Sequence, residues 1–312
     1  MPTRRASLPA VAFLCLLAVR CVGPDFADVS KDSYVPSETC VSCHRRTHPG
    51  VVSAWRASRH RTALRLLDRP RTLGIIGRRD GPHVLLRPDL RIVASPEWRE
   101  EEPEDEPAPP HDVIATQPAR VDAGRQCLGC HSTGYFASRR QFAEPGVGCQ
   151  ACHGPGRKHA ASRGNKKHIV NPARLSRARS NMVCGQCHSV GRDLSGAHPF
   201  PTVRTPSGPG PFQPGGDLAR AFVDARPKLV RKGWEYSLFA QADRRYARQL
   251  CTDCHDPHGR RGQAAMLKDP TNGICFRCHG LGRARLRYKN HWGLGDATKK
   301  PCWTCHQNTH DH

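Results

Sequence analysis

The pattern Cys-x-x-Cys-His occurs seven times in this chain of 312 residues. The copies are Cys40/Cys43/His44, Cys127/Cys130/His131, Cys149/Cys152/His153, Cys184/Cys187/His188, Cys251/Cys254/His255, Cys275/Cys278/His279 and Cys302/Cys305/His306. This is the attachment signature of c-type haem. The two thiols bond covalently to the porphyrin, and the adjacent imidazole becomes the proximal iron ligand. Seven haem c groups, roughly one per 45 residues, leave the chain little choice but to wrap around porphyrin plates.

Two other chemistries use paired cysteines. Structural zinc sites are built from Cys-x-x-Cys units, but they do not require a His directly after the second Cys of every pair. Here His follows all seven times, in a chain with only 18 His. Disulfides explain neither the fixed gap nor the His. All 14 cysteines beyond Cys21 belong to the motifs and none is left over. A thioredoxin-like role fails too, because one such motif per domain is the norm and no βαβ pattern surrounds any copy.

The composition suits a chain whose core is its cofactors. Hydrophobic residues make up 37% and aromatics 6%, with 28 Gly and 27 Pro, so long regular elements are scarce. Without a cofactor such a chain leans towards disorder. The formal charge of +22, taken alone, points to nucleic acid. Each haem, however, brings two propionates and a net charge of about −1 oxidised or −2 reduced, which lowers +22 to about +15 or +8. Much of the Arg and Lys excess therefore offsets propionates. No basic tract is interleaved with aromatics as in a nucleic-acid module, so no nucleic-acid partner is expected. The remaining positive surface fits acidic redox partner proteins.

Residues 1–23 read as a secretion signal. Arg4 and Arg5 precede an apolar stretch, Leu8 to Val19, that is too short to span a bilayer comfortably. Export fits haem attachment outside the cytoplasm and implies a periplasmic or extracellular protein. Cys21 has two readings: an ordinary residue of the removed signal, or a lipidation site that would give membrane association. Arg20 beside it suits the first better. Residues 24–312 form the haem-binding domain, with haem 1 in 34–67, haems 2–4 in 124–190 and haems 5–7 in 234–312. A helix is expected over Val51–Leu67, and another over Trp234–Leu250. Thr72–Ile76 and His83–Leu86 suggest a small β-hairpin around Arg79-Asp80-Gly81, near residues 72–93. Glu97–Pro110 reads as an acidic solvated loop, and 191–230 as an extended connector.

A second axial His closes an iron for electron transfer, and a missing one leaves it open to substrate. Eleven His lie outside the motifs. His60, His159, His258 and His291 stand out as distal ligands by position, with His310 behind them. His258, in Cys254-His-Asp-Pro-His258, lies too near its own proximal His to share its iron and is expected to reach a neighbouring haem.

The chain resembles the multihaem cytochrome c family that includes the tetrahaem electron acceptor of hydroxylamine oxidation. Four stretches carry the resemblance: Ser37 to His44 with Trp55 and Ser58-Arg-His60; Cys127 to Tyr135, running on to Gly146–Gly156 and His159; Val183 to His188; and Cys251-Thr-Asp-Cys-His-Asp-Pro-His-Gly259. The resemblance implies a mainly α, loop-rich fold with the haem stack as core, and haems in stacked and perpendicular pairs. It also implies electron transfer outside the cytoplasm, and it supports the four distal His. Where relatives often carry Met or His before the fifth motif, this chain has Arg244-Arg245-Tyr246, so one five-coordinate haem is an expectation. Three roles follow: an electron carrier first, then a reductase or oxidase of small nitrogen or sulfur compounds at an open haem, then a structural subunit of an electron conduit or wire. No Cys-x-x-Cys-Lys occurs, which counts against one kind of multihaem reductase.

Overall fold

The computed structural model describes residues 29–69, 72–77, 83–94, 121–224, 249–259, 266–269 and 271–279. The signal region with Cys21, the acidic stretch Glu97–Pro110, nearly all of Trp234–Leu250, the seventh motif (Cys302, Cys305, His306), His291 and His310 lie outside the described residues.

Helix α1, Ser37–Thr47, carries the first motif, and α2, Pro49–Arg56, follows after His48 alone. Pro49 at the start of α2 has no N–H to continue α1, so the chain must break there. Val41 of α1 packs on Val52 and Trp55 of α2, all buried. The helix expected over Val51–Leu67 ends at Arg56. Ser58 stops it: its hydroxyl donates to the Trp55 carbonyl at 2.8 Å and accepts from the Arg61 N–H at 3.2 Å, which satisfies the helix end from a side chain. Leu64 then enters a strand.

That strand opens a four-stranded antiparallel sheet in the order β1 Leu64–Arg69, β2 Thr72–Gly77, β3 His83–Leu86, β4 Ile92–Ala94. The expected hairpin is its β2–β3 pair, with Gly77 opposite His83. Register sets Leu64 against Ile76, and Leu86 against Ile92, on one face. These four residues are buried with Leu128, Tyr135 and Phe200. Leu128 is the first variable residue of the second motif, so the sheet is fastened to that motif.

The expected connector also folds. Gly191–Asp193 pairs with Phe222–Asp224, and Thr202–Thr205 with Gly208–Pro211. The buried Asp193 side chain organises this region. It accepts from Ser195 Oγ (2.8 Å), the Ala197 N–H (2.9 Å), His198 Nδ1 (3.0 Å) and Thr202 Oγ1 (2.8 Å). Short helices and short strands thus alternate through the described residues. Among those residues no helix is long and apolar enough to cross a membrane.

Candidate functional site

Each described motif sits on a helical turn or at its end. The second lies at Leu128–His131, the third at Cys149–His153, the fourth at the end of Arg177–Gly185, the fifth at Cys251–Cys254 and the sixth along Gly273–His279. A turn of helix sets residues three apart on one side, as two thioethers to one porphyrin require. The motifs meet in pairs. Cys40 and Cys149 are in thiol contact, and so are Cys130 and Cys187. In the free thiol form, the Cys40 contact and the Ser37 hydroxyl outweigh burial and hold Cys149 at about 7. Burial pushes Cys127 up to about 12, with Cys130 and Asp122 adding to it.

The attachment cysteines differ in exposure. Cys43 does not meet a second motif as its partner Cys40 does. It is exposed, and it receives only a long contact from the Ser42 hydroxyl at 3.9 Å. The cause is the placement of α1: Cys40 is turned towards Cys149 of the third motif, and Cys43, one turn further on, lies past that contact. Cys254 of the fifth motif is likewise exposed, whereas Cys152, Cys184 and Cys251 are half-buried. In the sixth motif the backbone of Cys275, Cys278 and His279 is helical, but their side chains lie outside the described residues.

The variable residues between the cysteines knit the motifs together. Gln150, in the third motif, accepts from the Val35 N–H at 3.1 Å and the Gly156 N–H at 2.7 Å, and its amide donates to the Val35 carbonyl. Gln186, in the fourth, donates to the Ala151 carbonyl of the third at 2.9 Å. Gly129, in the second, faces the Phe200 ring so closely that a Cβ would lie 2.1 Å from it. Outside the motifs, Asn181 donates to the Gln249 carbonyl and accepts from the Cys251 N–H, both at 3.0 Å, tying the fourth motif to the fifth. Ser37 donates to Glu144 at 2.6 Å and accepts from the Cys149 N–H at 3.1 Å. Gly146, at φ +72°, lies against the Arg61 carbonyl, 2.5 Å from where its Cβ would be, a position open only to glycine.

Three expected distal His face proximal His. The ring centres of His44 and His159 are 6.4 Å apart, those of His153 and His258 6.3 Å, and those of His60 and His188 6.3 Å. These gaps are too wide for ring contact. An iron about 2 Å from each of two imidazole nitrogens would hold the ring centres about 6.3 Å apart. His44 and His48, at 5.4 Å, do not match that spacing.

The ring orientations fit the same group. His153 Nδ1 lies 2.8 Å from the Val170 carbonyl, His159 Nδ1 3.0 Å from Asn165, His60 Nδ1 3.3 Å from Pro257 and His131 Nδ1 3.3 Å from Ala63. A carbonyl only accepts, so each Nδ1 carries the proton and Nε2 keeps its lone pair for a metal. Burial lowers the pKa of His60 and His153. Burial also lowers that of His44, with the charges of His48 and His159 adding to it. Each shift favours the neutral imidazole, the form a metal ligand requires. The residues present therefore fit haem c.

Sequence reasoning did not find Gln150, Gln186, Asn181 and Ser37. Nothing in the signature constrains its variable positions, and Ser37 and Asn181 lie outside it.

Two family models match. Residues 98–154 match "Cytochrome c554 and c-prime", and residues 245–284 match "Doubled CXXCH motif". The multiheme cytochrome MtrA of Shewanella baltica (strain OS185) is 28% identical over 156 residues, covering 43% of this chain and 42% of the relative. The chain thus spans less than half the length of that curated relative. Among solved structures, the outer cell wall cytochrome OcwA superposes with a TM-score of 0.52 and 19% identity, over 79% of this chain and 67% of OcwA. The undecaheme cytochrome from the S-layer of Carboxydothermus ferrireducens superposes with a TM-score of 0.44 and 19% identity, over 80% and 43%. The motifs, the two family models and the curated relative agree that this chain is similar to the multihaem c-type cytochromes, whose haem c is attached through Cys-x-x-Cys-His.

Proposed function

We propose that this chain is a heptahaem cytochrome that passes electrons between redox partners outside the cytoplasm. The three imidazole pairs at 6.3–6.4 Å carry the reading. An iron closed on both faces changes oxidation state without binding a substrate, which suits a carrier. Haem supplies the one-electron chemistry. The chain's residues fix its spacing and surroundings. On this reading His44 and His159 hold the first haem, His153 and His258 the third, and His188 and His60 the fourth. Carbonyls of Asn165, Val170 and Pro257 fix the ring planes. The thiol contacts support neighbouring positions for haems 1 and 3 and for haems 2 and 4, and the Gln186–Ala151 bond links the third motif to the fourth. Electrons would then follow the order 1–3–4–2 rather than the order of the motifs. His255, His279 and His306 complete the proximal set, with His291 and His310 as further distal candidates. Thioether attachment at all fourteen motif cysteines rests on the signature, and peptide mass spectrometry of the haem-loaded protein tests each one, the exposed Cys43 and Cys254 included. Export, with Cys21 either removed or lipidated, belongs to the same proposal. Mass spectrometry of the mature N-terminus distinguishes the two fates.

The test is haem quantification by pyridine haemochrome, with electron paramagnetic resonance of the oxidised protein. Seven haems, with low-spin signals from those of the first, third and fourth motifs, are expected. A stoichiometric high-spin signal that shifts with nitrite, hydroxylamine or cyanide would move the reading to catalysis at an open haem.

A further inference from the structure

From Pro145 to Arg192 the chain has no Asp or Glu and nine Arg or Lys. Lys158, Arg163, Lys166, Lys167 and Arg174 are exposed there, and no described carboxylate pairs with them. Arg179, at the end of the run, pairs with Asp217 at 3.2 Å, and elsewhere Arg56 sits on Glu38, Arg87 on Asp89 and Arg140 on Asp122. A basic run is often just a solvated face. This one is built differently.

The run is braced and wired to the haem sites. Asn165 Oδ1 caps the Lys167 N–H at 3.0 Å, and Asn171 Oδ1 caps the Ala173 N–H at 3.1 Å. The Gly164 N–H donates to the His159 carbonyl at 2.9 Å. The Asn165 carbonyl receives His159 Nδ1, and the Val170 carbonyl receives His153 Nδ1. The same loop therefore presents the cations and holds one axial ligand on each of two haem sites.

We propose that the segment Arg157–Arg174 is the face on which an acidic redox protein docks, exchanging electrons with the haem held by His44 and His159. The inference rests on the electron-transfer reading above and names its port. The cations are spread over three short helical turns, Arg157–Ala161, Lys166–His168 and Pro172–Arg174, which suits a protein face better than one small anion. Rim charges of this kind act mainly on the association rate. The step is a single electron transfer: a reduced donor cluster loses one electron, one ferric haem becomes ferrous, and no atom moves.

The test is stopped-flow reduction of the oxidised holoprotein by two donors, a reduced plant-type [2Fe–2S] ferredoxin as acidic protein and hexaammineruthenium(II) as small cation. K166E/K167E is compared with R87E/R91E, which changes net charge equally outside the segment; haem content and low-spin signals are checked for both. The expected result is a fall of about tenfold or more in the ferredoxin rate for K166E/K167E, with a weaker salt dependence, and less than about twofold for R87E/R91E. Hexaammineruthenium rates should not fall in either variant. Equal slowing by both variants, no slowing by either, or a wild type that takes electrons from ruthenium but not ferredoxin would overturn the port. A wild type reduced by neither donor would instead overturn the electron-transfer reading itself.

Discussion

Asp193 carries more of its region's structure than any neighbouring side chain. Burial raises its pKa, but hydrogen bonds from His198, Thr202 and Ser195 outweigh that and hold it at about 2, well below the usual carboxylate range. A carboxyl depressed on folding adds stability above its unfolded pKa, near 3.8, and that contribution disappears as pH falls towards 2. Acid titration followed by circular dichroism should show the loss in that window, and Asp193→Asn should remove the dependence. Asp193→Ala leaves Thr202, Ser195 and His198 without their acceptor and should cost about 2–4 kcal/mol in thermal or denaturant unfolding. Gly129 gives a second residue-level test. Gly129→Ala drives a methyl into Phe200 and should destabilise by about 1–3 kcal/mol, with recovery when Phe200 is also cut to Leu. The seven Cys-x-x-Cys-His motifs were legible residue by residue, because covalent haem attachment would dictate their spacing. What the signature did not announce is how differently they sit, with Cys127 buried and Cys43 exposed. Gln150 and Gln186 were not legible at all, because their roles depend on which motifs lie side by side.

The four-stranded sheet shows where element-level reading succeeds and stops. Turn residues flanked by short apolar runs gave away β2 and β3. Strand β1 looked helical because Trp55, His60 and Leu64 also fit a helical spacing, and only the cross-strand partner Ile76 decides against it. The 191–224 region read as a connector because its pairing depends on Asp193, and no local pattern announces a hub. The sheet's apolar face covers Leu128 of the second motif, so its stability should be coupled to that haem's seat. Leu64→Ala or Leu86→Ala, both at fully buried positions, should cost about 2–5 kcal/mol. Absorbance of the haem band during denaturation should shift with the loss of sheet structure, while an exposed Leu66→Ala on the same strand should leave both almost unchanged.

At the scale of the molecule, apolar side chains do not form one continuous centre among the described residues. The buried hydrophobics fall into separate clusters: one under the sheet, one around Phe212 and Phe222, one around Tyr34 and Phe136, and one around Val41 and Trp55. Three candidate distal His were readable in the sequence, but which motif His each one faces was not. His60 meets the fourth motif and His258 the third because the chain crosses back over the haem region, and sequence separation says nothing of that. The axial pairing makes a specific demand. His159→Ala should convert one haem equivalent to high spin, from the first motif, and leave the others low-spin. The missing apolar core makes a broader one, because the conformational cost of ordering a chain this rich in Gly and Pro must be met by contacts with the porphyrins. Chain produced without haem attachment should show weak secondary structure and no cooperative thermal transition by circular dichroism, whereas the haem-loaded protein should unfold cooperatively. If the haem-free chain kept its helices, sheet and a sharp transition, the polypeptide would be its own scaffold, and the haems would be passengers on it rather than its core.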